Sequence, residues 1–158
     1  MIGASPAVIE AVINEAAILS AANGKCIITQ DMLDEAYFKQ VMEGHSKKDT
    51  DRQQDELKLT AYHEAGHALV GYLLGEEITK VSIVPSTSGA GGVTLFNRKK
   101  MGLYSQSELE AQVMILYAGR IAEAALVGEN NVTTGASNDI ERASELLYDM
   151  VKDRKSVV

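Results

Sequence analysis

Apolar residues at Val8, Ile9, Val12, Ile13, Ala16, Ile18 and Leu19 recur at helical spacing behind Ser5-Pro6, a capping residue followed by a first-turn proline. Asn23-Gly24 closes this segment, and residues 25–28 read as a short β-like run. Thr29 then caps a second helix carrying Met32, Leu33, Ala36, Tyr37, Val41 and Met42, which Gly44 ends. The apolar stripes of both helices, together with Cys26, are expected to form core. Residues 45–54 contain no apolar side chain to anchor them, the mark of a linker or an exposed helix start. A domain boundary is placed there, dividing the chain into 1–46 and 47–158.

Beyond the boundary the pattern predicts a long helix over about 55–74, stopped by Gly75, with Leu57, Ala61, Ala65, Ala68, Leu69 and Tyr72 close together on its surface. Residues 78–84 set Ile78, Val81 and Ile83 against Lys80 and Ser82, and after Pro85 and a Ser/Gly-rich turn comes a second strand over 92–96. The two strands suggest a hairpin, with the glycines 89, 91 and 92 forming a mobile tip. Ser105-Gln106-Ser107-Glu108 is a capping-box pattern opening a helix through Leu109, Val113, Leu116, Tyr117, Ile121, Ala124 and Leu126, ended by Gly128. A last helix is expected over about 137–153. The fold class is therefore α+β, mainly helical, with one small hairpin.

Composition supports a folded, soluble globular chain: 46% of its 158 residues are hydrophobic and 23% charged. A net charge of −7 argues against non-specific binding to nucleic acid or anionic lipid. The dense basic cluster Arg98-Lys99-Lys100 reads as a solvated loop. With Cys26 as the single cysteine, neither an intrachain disulfide nor a cysteine-based zinc site can be assembled. No apolar run approaches the roughly 20 residues that span a bilayer, and the start lacks a signal-peptide pattern.

Candidate chemistry sits in the long helix, at His63-Glu64-Ala65-Gly66-His67. Positions four apart share a helix face, so His63 and His67 can offer imidazole nitrogens to one ion, while Glu64 projects just beside that face. This is the arrangement of a zinc site with a neighbouring general base. A zinc ion with three protein ligands keeps a position for water, lowers its pKa to about 7 and polarises a peptide carbonyl. Chance is a poor rival, because the three fixed positions coincide on the order of once per tens of thousands of sites. Gly66 adds a hint, since glycine inside a helix costs about 1 kcal/mol relative to alanine and signals close packing or ligand approach.

The third ligand is open on residue chemistry alone. Candidates are Glu123, Asp139, Glu141 and Glu145; Glu123 and Glu145 lie within helices, where a solvated or ion-paired carboxylate is the plain reading. Asp139 follows the small-residue stretch Thr133-Thr134-Gly135-Ala136-Ser137 into a helix start, where the dipole favours a carboxylate. It serves equally well as a metal ligand or as a simple helix-capping acid.

Three blocks, in order, resemble the peptidase domain of the FtsH-type AAA proteases and their organellar relatives: residues 60–68 (Thr-Ala-Tyr-His-Glu-Ala-Gly-His-Ala), 116–123 (Leu-Tyr-Ala-Gly-Arg-Ile-Ala-Glu) and 133–140 (Thr-Thr-Gly-Ala-Ser-Asn-Asp-Ile). The resemblance implies that Asp139 is the third zinc ligand beside His63 and His67, with Glu64 as the catalytic base. Residues 1–46 resemble the end of the helical lid of the AAA ATPase module. No Gly-x-x-x-x-Gly-Lys-Ser/Thr string occurs, and Gly89-Ala90-Gly91-Gly92 lacks the phosphate-loop lysine, so ATP belongs to the part of such a protein not represented here.

The resemblance further implies a zincin-like domain, truncated after residue 158, from an ATP-driven processive protease. The parent would be a homo-hexamer at the cytoplasmic face of a membrane, acting on unfolded or membrane-protein polypeptides, and the fragment itself soluble. The helix from Ser137 would then expose Leu146, Leu147 and Met150. A peptide could add as a strand beside 92–96, giving Gly92, Val93 and Thr94 a substrate-binding role, or the hairpin could be purely structural. The expected activity is a zinc-dependent endopeptidase. The competing readings are an inactive zinc-binding or assembly fragment and a zinc hydrolase for another amide.

Overall fold

A computed structural model describes residues 5–42, 44, 46, 53–97 and 104–154. Its elements are α1 (Pro6–Ala22), α2 (Gln30–Met42), α3 (Gln54–Leu73), β1 (Ile78–Ser82), β2 (Val93–Phe96), α4 (Gln106–Val127) and α5 (Ser137–Arg154), with short 3-10 turns at Glu129–Asn131 and Thr134–Ala136. The mainly helical α+β class expected from the pattern is what forms. The cluster Arg98-Lys99-Lys100 and most of the polar stretch 45–54 lie outside the described residues. Among the described residues no helix is long and apolar enough to cross a membrane.

Two compact units emerge. The first comprises residues up to 51 together with 84–93, and the second residues 52–83 and 94 onward. In the first, α1 starts at Ser5, whose hydroxyl accepts from the Val8 N–H, with Pro6 in the first turn where its missing N–H has no cost. Thr29 caps α2 through Met32 N–H. The helices enclose Val12, Ala16, Met32 and Ala36, flanked by Val8, Leu19, Leu33 and Tyr37, and Lys39 pairs with Glu15 at 2.6 Å.

Residues 25–28 are a turn rather than a strand. The Ser20 hydroxyl lies 2.9 Å from the Lys25 carbonyl and 3.0 Å from that of Ile27, so its one proton gives this stretch a local donor in place of a sheet. Cys26, expected in the core, is exposed on this turn. Segment 84–93 belongs to the same unit: the Ser88 hydroxyl donates to the Met42 carbonyl at the end of α2 (2.7 Å), and Ser86 is buried beside Gly44.

The second unit is a stack in which α4 packs on both α3 and α5. Its α4 begins with the expected capping box, Ser105 and Glu108 each bonding the other's backbone N–H. The α3–α4 approach is close because Gly66 has no side chain; a methyl there would come within 2.5 Å of the Ala118 carbonyl. The apolar positions of α3 are only partly covered, Leu57, Ala61 and Ala68 being half-buried. Leu69 and Tyr72 are 60% and 70% exposed, and the buried positions are His63, Glu64, His67 and Gly71.

The strands form a two-stranded sheet, joined past the end of β2 by Asn97 N–H to the Glu77 carbonyl (2.7 Å). In β1 the half-buried residues are Ile78, Lys80 and Ser82, while Val81 is exposed. Strict period-two alternation cannot place Ile78 and Val81 on one face, so Val81 turns outward with Thr79.

Candidate metal centre

His63 and His67 stand one helical turn apart on α3, with ring planes 78° to each other and centroids 4.6 Å apart. The Nδ1 atom of each ring is engaged from α4. His67 Nδ1 lies 2.7 Å from the Ile115 carbonyl, which can only accept, so that nitrogen carries the proton. His63 Nδ1 lies 2.7 Å from Oε1 of Glu123, a carboxylate that takes its proton in the same sense. Both rings therefore turn Nε2, with its lone pair, toward the same point.

Asp139 completes the convergence from the first turn of α5. Its Oδ2 is 3.2 Å from each Nε2, and the two Nε2 atoms are 2.9 Å apart. Three acceptor atoms so close repel one another unless a proton or a cation sits among them. Tetrahedral ligands bonded at 2.0–2.1 Å to zinc stand about 3.3 Å apart, so the triangle fits such an ion. Gly119 of α4 fits it too: a methyl at that position would lie 2.6 Å from His67 Nε2 and 2.7 Å from His63 Nε2, filling the space an ion would need. His63, His67 and Asp139 are the group among the described residues that could hold a metal ion.

Burial pushes the His63 imidazole down, but hydrogen bonds with Asp139 and Glu123 and the charges of Glu64 and Asp139 outweigh it, so its pKa is raised. Burial pushes the Asp139 carboxyl up, and its hydrogen bonds with His63 and His67 prevail and hold it well below the usual carboxylate range. Glu64 is 5% exposed. Its burial raises its pKa, against the opposing Thr94 hydrogen bond and the two histidines.

Of the other candidate ligands, Glu141 and Glu145 are exposed on α5. Glu123 is 2% exposed, so of the two plain readings of a helical glutamate it is paired rather than solvated, and it faces Nδ1 of His63 rather than the ion's position. Its Oε2 accepts from both the N–H and the hydroxyl of Thr133, tying the loop that precedes Asp139 to α4. One sequence signal could have pointed to it: Glu123 lies four residues after Gly119, on the same face of α4. Gly92 precedes β2 and Val93 opens it. The Thr94 side chain reaches Glu64, with Oγ1 2.7 Å from Oε2 and 3.1 Å from the Glu64 carbonyl.

Comparison with known proteins agrees with the resemblance carried by the three sequence blocks. The chain is 42% identical over 156 residues to an ATP-dependent zinc metalloprotease FTSH, chloroplastic, of Capsicum annuum, covering 95% of this chain and 23% of the relative. It is 40% identical over 151 residues to the ATP-dependent zinc metalloprotease FtsH 1 of Alkaliphilus metalliredigens, covering 94% of this chain and 25% of the relative. To a chloroplastic FTSH of Medicago sativa it is 43% identical over 145 residues, covering 88% and 20%. The chain thus spans about a quarter of the length of these curated relatives. Residues 51–154, more than half of the chain and inclusive of every residue of the centre, match the model of peptidase family M41, and the chain belongs to that family.

Proposed function

We propose that this chain is the zinc-dependent endopeptidase module of an ATP-dependent protease, with His63, His67 and Asp139 as zinc ligands and Glu64 as general base. The observation that carries the reading is the convergence of two Nε2 atoms and one carboxylate oxygen within 3.2 Å, beside a buried glutamate that ligates nothing. Bound zinc supplies Lewis acidity, which makes water a nucleophile near neutral pH and polarises a peptide carbonyl.

The chain's own residues do the rest. Glu123 and the Ile115 carbonyl hold the imidazoles in the tautomer that presents Nε2, an outer support that raises ligand basicity and fixes ring orientation. Glu64 accepts a proton from the attacking water and returns it to the leaving amine, and a pKa raised by burial suits a group that must both take and give at neutral pH. A peptide adds as a strand along the edge of β2 not paired with β1, using the main chain of Gly92, Val93 and Thr94, a mode in which main-chain hydrogen bonds carry the affinity.

The whole protein would be a homo-hexamer at the cytoplasmic face of a membrane, feeding unfolded or membrane-protein polypeptides to this centre. The names of the relatives, ATP-dependent zinc metalloproteases, support an ATP-dependent protease as the whole protein. The test is zinc content measured together with casein hydrolysis. Glu64→Gln should keep about one zinc per chain by the three-ligand rule, while kcat falls by about 10²–10⁴. Full activity in that variant would overturn the role of Glu64. Stoichiometric zinc without hydrolysis in the parent chain would favour a binding or assembly role.

A further inference from the structure

The Thr94 side chain is a short link between β2 and the glutamate on α3, and its geometry has a chemical direction. A hydroxyl carries one proton. Of the two acceptors within reach, Glu64 Oε2 is at 2.7 Å and the Glu64 carbonyl at 3.1 Å, and that carbonyl already lies within the hydrogen-bonded interior of α3. The proton therefore goes to Oε2. This leaves Oε1 without a partner among the described residues and selects it as the oxygen that meets water.

A carboxylate on a two-carbon stem has several rotamers, and those turned away from the metal ligands are useless for taking a proton from a water beside them. Neither histidine hydrogen-bonds Glu64. Among the described residues Thr94 alone holds its carboxylate.

We propose that Thr94 is a positioning residue for the general base, its hydroxyl fixing Glu64 so that Oε1 faces the reacting water. The proposal rests on the general-base reading of Glu64. It gives Thr94 two separate duties: its main chain belongs to the strand that would dock substrate, and its hydroxyl belongs to the base. A cleavable peptide settling on β2 would then act on the strand that orients the base, coupling substrate docking to the readiness of the proton acceptor.

The experiment compares Thr94→Val and Thr94→Ser with Glu64→Gln in the zinc-loaded chain. Valine keeps the β-branched shape and strand preference and removes only the hydroxyl, whereas serine keeps the hydroxyl and removes a methyl. Thr94→Val should lower kcat about 10- to 100-fold, the size of a hydrogen bond to a charged group, with KM changed less than about threefold. Thr94→Ser should restore kcat to within about threefold of the parent.

Zinc content should be equal in all three variants. In the metal-free chain carrying ¹³C-labelled glutamate, the carboxyl resonance missing from Glu64→Gln should move in Thr94→Val and return in Thr94→Ser. A rise in KM with kcat unchanged would overturn the proposal in favour of strand docking alone. Equal loss in the valine and serine variants would overturn it in favour of packing. If Glu64→Gln itself stays fully active, the base assignment fails; if it is inactive while Thr94→Val is normal, only the Thr94 proposal fails.

Discussion

Where α1 meets α2 the buried side chains are Val12, Ala16, Met32 and Ala36, whereas at the centre of α3, α4 and α5 they include His63, Glu64, His67 and Glu123, with Gly66 and Gly119 letting the backbones close in. The first interface is held by removal of apolar surface from water, which is non-directional and tolerant of small shifts. The second must give each side-chain polar atom that is shut off from solvent a partner, and among the described residues no such nitrogen or oxygen lacks one. It gains a network that is rigid and directional, and it concentrates like-signed acceptors at one point that only a proton or a cation can relieve. The difference predicts that one region responds to volume and the other to charge, proton and metal.

The largest effect is expected from the acceptor triangle itself. Asp139→Ala should weaken zinc binding by more than the roughly 10–100-fold typical of outer partners, so that zinc no longer co-purifies at one ion per chain. Metal analysis decides it, and unchanged stoichiometry would remove Asp139 from the ligand set. Next, Glu123→Gln should weaken zinc affinity about 10- to 100-fold, measured by competition with a chromophoric chelator, because the charge that fixes the His63 tautomer is gone. Val12→Ala should cost about 2 kcal/mol in urea unfolding from lost burial plus a cavity, with zinc affinity unchanged, since no ligating atom belongs to that helix pair.

The smallest effect is a pH trend with opposite signs in the two states. Zinc must displace the proton on His63, so apparent affinity should fall by about tenfold per pH unit below that group's raised pKa. In the metal-free chain the same raised pKa contributes stability that is fully present below the ordinary histidine value and lost as pH rises through the folded value. Melting curves with zinc and with chelator should therefore diverge as pH increases through neutrality. Parallel curves would mean that proton and metal do not share the place between the two Nε2 atoms.

The same contrast governs how much could be read in advance. Apolar periodicity located α1, α2 and α4, because their caps at Ser5, Thr29 and Ser105 are local chemistry. It located α3 too, without showing that the buried face there is polar and leaves Leu69 and Tyr72 exposed, and it misjudged Val81 by letting composition outrank the two-residue period. Residues 25–28 resembled a strand in composition, but the Ser20 hydroxyl, within reach of the Lys25 and Ile27 carbonyls, offers this stretch a local donor in place of a sheet.

At the site, the spacing of His63, Glu64 and His67 is a property of a single helix and was legible. Asp139 lies 76 residues from His63, and residue chemistry alone suits it equally to a capping role, a tie that the family resemblance breaks. The hydrogen bonds of Glu123 and Thr94 were invisible, because each links residues 60 and 30 positions apart through the packing of whole elements.

The Ser88–Met42 hydrogen bond joins positions 46 apart and belongs to a unit whose parts are separated in the chain. During synthesis α1 and α2 emerge before the segment that completes their unit, and the last carbonyl turn of α2 gains this partner only after β1 has been made and the chain has doubled back. Closing that long loop makes its completion a late event for an early-made segment. A piece cut after residue 46 would therefore carry both helices but leave the Met42 carbonyl to water and lose the buried Ser86 beside Gly44.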